Sequence, residues 1–250
     1  MLAVPAVSAR SLVAIRERGA LSLCAHANAL PFSSRKGELR GFQLELAEAL
    51  ATQLGVRLSV EWVTTSFQFV AADCDVVLDT IAIPEPQAER RLRLSKSYQR
   101  SGVALALRSE TTGIGGFADL GPRHRVAVLV GSLAGMLLDR RGVHLSTFGF
   151  EDEMLEAVAR GEVEAAAVSP ASAGYFNLTH ASAPLRIVYA YEQEAELAWD
   201  VAVGLRRSDD ALRAAVDQAL DRLLADGTIR RIYARYGIEH RSPAGSTGTR

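Results

Sequence analysis

The segment 21–54 constrains the fold more than any other stretch of the sequence. It opens with a short apolar run, Leu21-Ser22-Leu23-Cys24-Ala25, and then turns polar at His26 and Asn28. Apolar residues recur at helical spacing from Phe42 to Leu54. Such a run followed by a polar loop and an amphipathic helix predicts a strand that is covered by its own helix. Ligands of open α/β sheets bind where strands end at their carboxyl edge, so the residues after this strand are candidates for a site.

The same alternation continues along the chain. The segments 56–62 and 74–78 are strand-like, and 64–72 suits a short helix between them, which together predict a parallel β-α-β-α-β arrangement. A Gly-rich polar segment at 111–125 separates this series from a second one. The strand-like segment 198–205 and a helix starting at Ser208-Asp209-Asp210 then return the chain to the first series.

This order predicts two lobes. We expect residues 11–107 and 199–240 to form lobe 1, residues 108–198 to form lobe 2, and residues 241–250 to be a disordered tail without core-forming residues. Two crossings between lobes would act as a pair of hinges around a ligand cleft.

Composition excludes several classes of function. The 250 residues carry a formal net charge of −1, so the chain has no basic surface for nucleic acid. No apolar run approaches the roughly 20 residues that span a bilayer. Residues 1–10 lack the features of a signal peptide, so we expect either a cytoplasmic protein or an exported one whose signal peptide is removed.

Cys24 lies at the end of the first strand-like segment, and Cys74 opens the strand-like segment 74–78. If those strands are neighbours, a disulfide would close a loop of about 50 residues and contribute roughly 4 kcal/mol. The alternative is a pair of buried thiols.

Catalytic and metal motifs are weak. The five histidines, at positions 26, 124, 144, 180 and 240, show no zinc-ligand spacing, so we predict no metal and no cofactor. Gly113-Ile114-Gly115-Gly116 does not follow a strand in the register of a phosphate loop. An enzyme would need an acid/base pair, for which Asp79 with His26 is the candidate; we predict that the protein is not an enzyme.

Several short motifs, in their order and spacing, resemble the amino-acid-binding type of periplasmic solute-binding proteins (family 3) over roughly residues 21–238. They are Pro31-Phe32, Gly41-Phe42, Cys74-Asp75-Val76-Val77, Ser95-Lys96-Ser97-Tyr98, Gly131-Ser132, Gly161-Glu162-Val163-Glu164-Ala165 and Ile232-Tyr233-Ala234-Arg235-Tyr236-Gly237. The resemblance implies a two-lobed α/β fold of the periplasmic binding protein type (type II), in which each lobe has a mixed, mainly parallel sheet flanked by helices.

A narrower resemblance is to the J-type periplasmic proteins that accompany quinoprotein (methanol) dehydrogenases. It is carried by Cys24-Ala25 with Asn28, Leu30-Pro31-Phe32-Ser33, Arg35-Lys36-Gly37, Ala173-Gly174-Tyr175-Phe176 and Val203-Gly204-Leu205-Arg206-Arg207. It implies a periplasmic protein, monomeric when isolated, that docks to a quinoprotein dehydrogenase or assists its maturation in methanol oxidation. The alternative is a receptor that delivers a small polar ligand, other than a standard amino acid, to an ABC permease.

The resemblance also locates a site. In amino-acid receptors of this type, an Arg of lobe 1 binds the ligand carboxylate and an Asp of lobe 2 binds its ammonium. Those positions correspond to Gln87 and Ser169, so both charges are expected to be missing. The nearby Arg90, Arg91 and Arg93 are interpreted as a solvated charged face. We therefore predict a polar-neutral, aromatic cleft lined by His26, Asn28, Phe32, Asp79, Thr80, Ser132, Ser169 and Tyr175.

Each of these residues has an alternative role. His26 could be an exposed loop histidine, and Phe32 could pack in the core with Phe42. Asp79 could cap a helix or turn, and Tyr175 could gate the cleft or contact a partner.

Overall fold

A computed structural model describes residues 10–64, 68, 72, 74–82 and 92–243. Its strands are β1 (Ala20–His26), β2 (Asn28–Ala29), β3 (Ser33–Ser34), β4 (Arg57–Val63), β5 (Val76–Ile81), β6 (Leu92–Gly102), β7 (Ala104–Leu107), β8 (Arg125–Leu129), β9 (His144–Phe148), β10 (Ala165–Val168), β11 (Arg186–Val188) and β12 (Ala198–Arg206). Its α-helices are α1 (Leu12–Arg18), α2 (Phe42–Leu54), α3 (Leu133–Arg140), α4 (Glu151–Ala159), α5 (Pro170–Thr179), α6 (Asp210–Ala225) and α7 (Thr228–Arg235). No helix in these ranges is long and apolar enough to cross a membrane.

The first sheet has the strand order β4-β1-β5-β12-β6. Strand β1 pairs in parallel with both β4 and β5, as the β-α-β pattern predicts, while β12 runs antiparallel to β5. Residues Ala20 to Ala25 are buried on both faces of the sheet, which is typical of a central parallel strand. Helix α2 packs on β1 and β4, and ends at Gly55 in the left-handed conformation.

The second sheet has the order β11-β7-β10-β8-β9. Its centre is β10, whose residues Ala165-Ala166-Ala167-Val168 are all buried. Strand β10 is parallel to β8 and antiparallel to β7, so the sheet is mixed. Because β8 and β9 are also parallel, the carboxyl ends of β8, β9 and β10 lie at one edge.

The contacts of the chain divide it into two compact units. The first unit comprises residues up to Tyr98 and Val201–Ile232; the second comprises Gln99–Asp200 and the residues from Tyr233 onward. The chain therefore passes from one unit to the other within β6, within β12 and within α7.

These bounds differ from those expected from sequence. The strand at 103–108 was assigned to lobe 1, but β7 pairs with β10 and β11 in the second sheet. The sequence pattern cannot reveal this, because an apolar strand of four residues fits either sheet equally well.

The C-terminal segment also differs from expectation. A disordered tail from residue 241 was predicted, yet the Arg241 N–H donates to Gln99 Oε1 at 3.0 Å and its guanidinium lies 4.2 Å from the Tyr189 ring centroid. The cation–π contact and the backbone bond explain why the chain continues in contact with the second unit through this residue. Residues 244–250 lie outside the described part of the chain, as does most of the helix expected at 64–72.

Helix α5 and the hairpin of β2 and β3 were not predicted. Helix α5 starts with Pro170 at its first position after the N-cap Ser169, a helix-start signal that the sequence carried. The hairpin of β2 and β3 is only two residues long in each strand, which is too short to leave a periodic pattern.

Of the two alternatives for Cys24 and Cys74, the structure has the disulfide, with Cα atoms 5.5 Å apart. The adjacent Asp75 is fully buried and accepts hydrogen bonds from Arg10 and Arg18, both at 2.5 Å, and from the backbone N–H and hydroxyl of Ser22. A buried carboxylate needs such partners, and here they fasten α1 to the first sheet.

Candidate functional site

The carboxyl edge of the second sheet, formed by the residues that follow β8, β9 and β10, holds two of the predicted site residues. Ser132 follows β8 and Ser169 follows β10. Each caps the helix that begins after it: the Ser132 hydroxyl accepts from the Gly135 N–H at 3.1 Å, and that of Ser169 from the Ser172 N–H at 3.2 Å. The topology thus brings these two serines to the same edge, as helix caps.

Ser169 also holds a carboxylate that the sequence interpretation missed. Its backbone N–H donates to Glu151 Oε1 and its hydroxyl donates to Glu151 Oε2, both at 2.7 Å. Glu151 is the first residue of α4 and is half-buried. Two converging donors fix the plane of a carboxylate, and bonds to an ionised group are stronger than neutral ones.

This contact bears on the expectation that lobe 2 lacks the carboxylate that would bind a ligand ammonium. Ser169 was expected to leave its position without a negative charge, but Glu151 places a carboxylate on it. Glu151 was not predicted as a site residue, because 18 residues separate it from Ser169 and no local pattern links the two.

Tyr175 lies on α5, six residues after Ser169, and its side chain is half-buried. The neighbouring Gly174 packs against the C-terminal segment, where a Cβ would lie only 2.3 Å from the Gly237 carbonyl oxygen. The close backbone approach at Gly174 is therefore made by the chain itself, and ligand contact by Tyr175 stays a prediction.

In the first unit, His26 and Asn28 lie together at the end of β1. The Asn28 N–H donates to His26 Nδ1 at 3.3 Å, and His26 Nε2 lies 3.2 Å from the Thr64 carbonyl oxygen. Asn28 is exposed and His26 is half-buried. These contacts hold the imidazole in the loop structure and leave the Asn28 side chain accessible to solvent.

Phe32 packs against Phe42, as its alternative role in the core predicts. Its ring centroid lies 5.2 Å from that of the buried Phe42, in a tilted arrangement. Gly41 allows the start of α2 to lie close to the backbone of Phe32, because a Cβ at Gly41 would lie 2.3 Å from the Phe32 carbonyl oxygen. The φ of Gly41 is 96°, a conformation that favours glycine. Core packing thus accounts for Phe32, which remains half-buried.

Asp79 adopts φ 52°, a left-handed conformation that is uncommon for residues other than glycine, near the end of β5. Its carboxylate accepts from Gln43 Nε2 and from the Tyr98 hydroxyl, both at 2.7 Å. It therefore links β5 to α2 and β6. Beside it, the Thr80 hydroxyl donates to the Val77 carbonyl oxygen at 3.4 Å.

The remaining predicted charges have separate outcomes. Arg93 donates to the Ser208 carbonyl oxygen and pairs with the highly exposed carboxylate of Asp210, in agreement with a solvated charged face. Gln87, Arg90 and Arg91 lie outside the described residues. Across the ranges that the structure covers, no group of three or more His, Cys, Asp and Glu side chains could hold a metal ion.

Comparison with known proteins establishes the family. Residues 21–239 match the model of bacterial extracellular solute-binding proteins, family 3, and the chain belongs to this family. The family and the two α/β units confirm the two-lobed fold of the periplasmic binding protein type.

Curated relatives fall into two kinds. The probable amino-acid-binding protein YxeM of Bacillus subtilis is 26% identical over 82% of this chain and 79% of its own length. Membrane-bound lytic murein transglycosylase F of Ectopseudomonas mendocina is also 26% identical, over 82% of this chain, but the match spans only 43% of that protein. The family is thus shared with binding proteins and with one domain of a larger enzyme.

Among solved structures, the ancestral cationic amino acid solute-binding protein AncCDT-1 has a TM-score of 0.75 at 25% identity, over 90% of this chain and 99% of that one. The periplasmic binding protein XoxJ of Methylobacterium extorquens AM1 has a TM-score of 0.70 at 20% identity, over 89% and 99%. At that identity the likeness to XoxJ shows a shared fold alone.

Proposed function

We propose that this protein is a non-catalytic periplasmic receptor that binds a small organic solute carrying a protonated amine and delivers it to an ABC permease. The observation that carries the proposal is the carboxylate of Glu151, aligned by the backbone N–H and the hydroxyl of Ser169 at the carboxyl edge of the second sheet. A carboxylate oriented by neutral donors can accept further hydrogen bonds from an ammonium group.

The relatives support this assignment. YxeM is named as a probable amino-acid-binding protein, and AncCDT-1 is named as a solute-binding protein for cationic amino acids. Family membership also supports a location outside the cytoplasm, since the family is described as extracellular.

Glu151→Gln tests the proposal. A panel of amines and amino acids is first screened by thermal shift, because a ligand that binds the native state raises Tm as its occupancy increases. The solute that binds is then titrated calorimetrically. Loss of a charge-assisted hydrogen bond costs about 1.5–3 kcal/mol, so the affinity of Glu151→Gln should fall roughly 10- to 100-fold.

Glu153→Gln is the matched control, since it removes the same charge from the same first turn of α4 at an exposed position. Its affinity should equal that of the wild type. Equal losses in both variants would mean that general charge, not the Glu151 site, attracts the solute. No binding across the panel would overturn the receptor function.

The second candidate is an accessory to a quinoprotein (methanol-type) dehydrogenase. It is favoured by the sequence block around Cys24-Ala25 and Leu30-Pro31-Phe32-Ser33, with Val203-Gly204-Leu205-Arg206-Arg207. Sedimentation of the purified protein with a quinoprotein methanol dehydrogenase tests it: a complex formed at micromolar concentrations supports docking, and independent sedimentation of both proteins removes this candidate.

A further inference from the structure

Large apolar side chains are exposed at the carboxyl edge of the second sheet, beside Glu151. Val130, which directly follows β8, is 72% exposed, and Phe150, which directly precedes Glu151, is 68% exposed. Leu133, at the start of α3, is 44% exposed. We call these three residues the apolar rim.

The strand register places the rim beside the carboxylate. In the parallel pair of β8 and β10, Ala165 lies opposite Val126 and Ala166 opposite Ala127. Continuing this register by one residue past the end of each strand sets Ser169 opposite Val130. Neighbouring strands are about 4.8 Å apart.

The third strand brings Phe150 to the same place. Leu129 lies opposite Phe148 in the pair of β8 and β9, and the Val130 N–H donates to the Phe148 carbonyl oxygen at 3.0 Å. Strand β8 lies between β9 and β10, so the Glu151 side chain reaches from the end of β9 across the end of β8 to Ser169. Val130 is therefore bordered on one side by the carboxylate and on the other by the segment carrying Phe150.

We propose that the apolar rim selects solutes in which the protonated amine is attached to an apolar or aromatic group. This inference rests on the proposed function, since Glu151 would bind the amine while Val130, Phe150 and Leu133 contact the apolar group of the solute. The two features act on different parts of the solute: the Glu151 carboxylate attracts the cation, and the apolar rim beside it offers apolar contact. Burying an aromatic side of the ligand on the rim removes apolar surface of both partners from water.

The experiment compares two amines that differ by a phenyl group. 2-Phenylethylamine and ethylamine carry the same ammonium group, and both are titrated calorimetrically into the wild-type protein. We expect 2-phenylethylamine to bind at least about tenfold more tightly than ethylamine. In the double variant Val130→Ser/Phe150→Ser this preference should fall to about twofold or less, with the affinity for ethylamine nearly unchanged.

Leu178→Ser is the matched control. Leu178 is 47% exposed on the same unit but lies nine residues from Ser169, about 13 Å along α5. Its preference should match the wild type. Circular dichroism and Tm of all variants should also match, since the substituted side chains are largely exposed.

The outcomes separate the two proposals. Equal affinities of the wild type for both amines, or a preference that survives in the double variant, would overturn the selection by the rim while leaving a receptor for amines. An equal loss of preference in Leu178→Ser would overturn it as well. Failure of the wild type to bind any amine or amino acid would overturn both the rim and the proposed function.

Discussion

At the scale of single residues, Gly174 on α5 has no room for a side chain. A Cβ there would lie 2.3 Å from the Gly237 carbonyl oxygen, a backbone atom that cannot move aside as a side chain would. We expect Gly174→Ala to lower the free energy of unfolding by about 3 kcal/mol, at the upper end of overpacking effects. Urea unfolding followed by circular dichroism measures this loss.

Gly121→Ala provides the control for Gly174→Ala. No atom lies within 4 Å of the position where its Cβ would be built, so its unfolding free energy should stay within about 0.5 kcal/mol of the wild type. Similar losses in both variants would show that the contact with Gly237 does not set the result.

Single residues also show what sequence can and cannot predict about a site. The positions of Ser132 and Ser169 after apolar strands agree with the sequence pattern, because such a pattern is local; their contact with a ligand stays a prediction. Glu151 was missed because its role depends on which strands are neighbours, and that order is fixed by long-range packing.

At the scale of elements, the segment after α7 is held to the second unit by side-chain contacts around Tyr189. The Tyr189 hydroxyl donates to Glu239 at 2.9 Å, and Arg241 stacks on its ring and also pairs with Glu192. Burial, followed by the hydrogen bond to Glu239, raises the pKa of Tyr189 above its ordinary value of 10.0.

This shift predicts an alkaline loss of stability. Because the pKa of Tyr189 is higher in the folded state, its contribution is fully present below pH 10 and is lost as the pH rises above the unfolded-state value. The Tm of the wild type should therefore fall more steeply between about pH 9.5 and 11 than that of Tyr189→Phe, which has no hydroxyl to ionise. Parallel Tm curves for the two proteins would contradict the assignment.

Elements with strong local signals were predicted well. Helices α2 and α6 each combine apolar residues at helical spacing with a start or stop signal, such as the N-cap Asp209 or the terminal Gly55. Strand β7 was assigned to the wrong sheet, because four apolar residues carry no information about their partner.

At the scale of the whole molecule, the disulfide joins two parts of the first unit that are 50 residues apart in sequence. Closing such a loop restricts the unfolded chain and should contribute about 4 kcal/mol to the free energy of unfolding. Cys24→Ser/Cys74→Ser should lower stability by this order in denaturant titrations. Dithiothreitol should lower the Tm of the wild type and leave that of the double variant unchanged; no effect of the reductant on the wild type would exclude a stabilising bridge.

The strand order of the first sheet has a consequence for synthesis. Strand β12 lies between β5 and β6, yet it is encoded after every strand of the second sheet. A chain that emerges N-terminus first therefore exposes the edge of β5 until residue 206 arrives, whereas the strands of the second sheet, from 104 to 188, emerge without interruption. The sheet that starts first is the one that is completed last, and during that interval its open edge is exposed to aggregation and to chaperones.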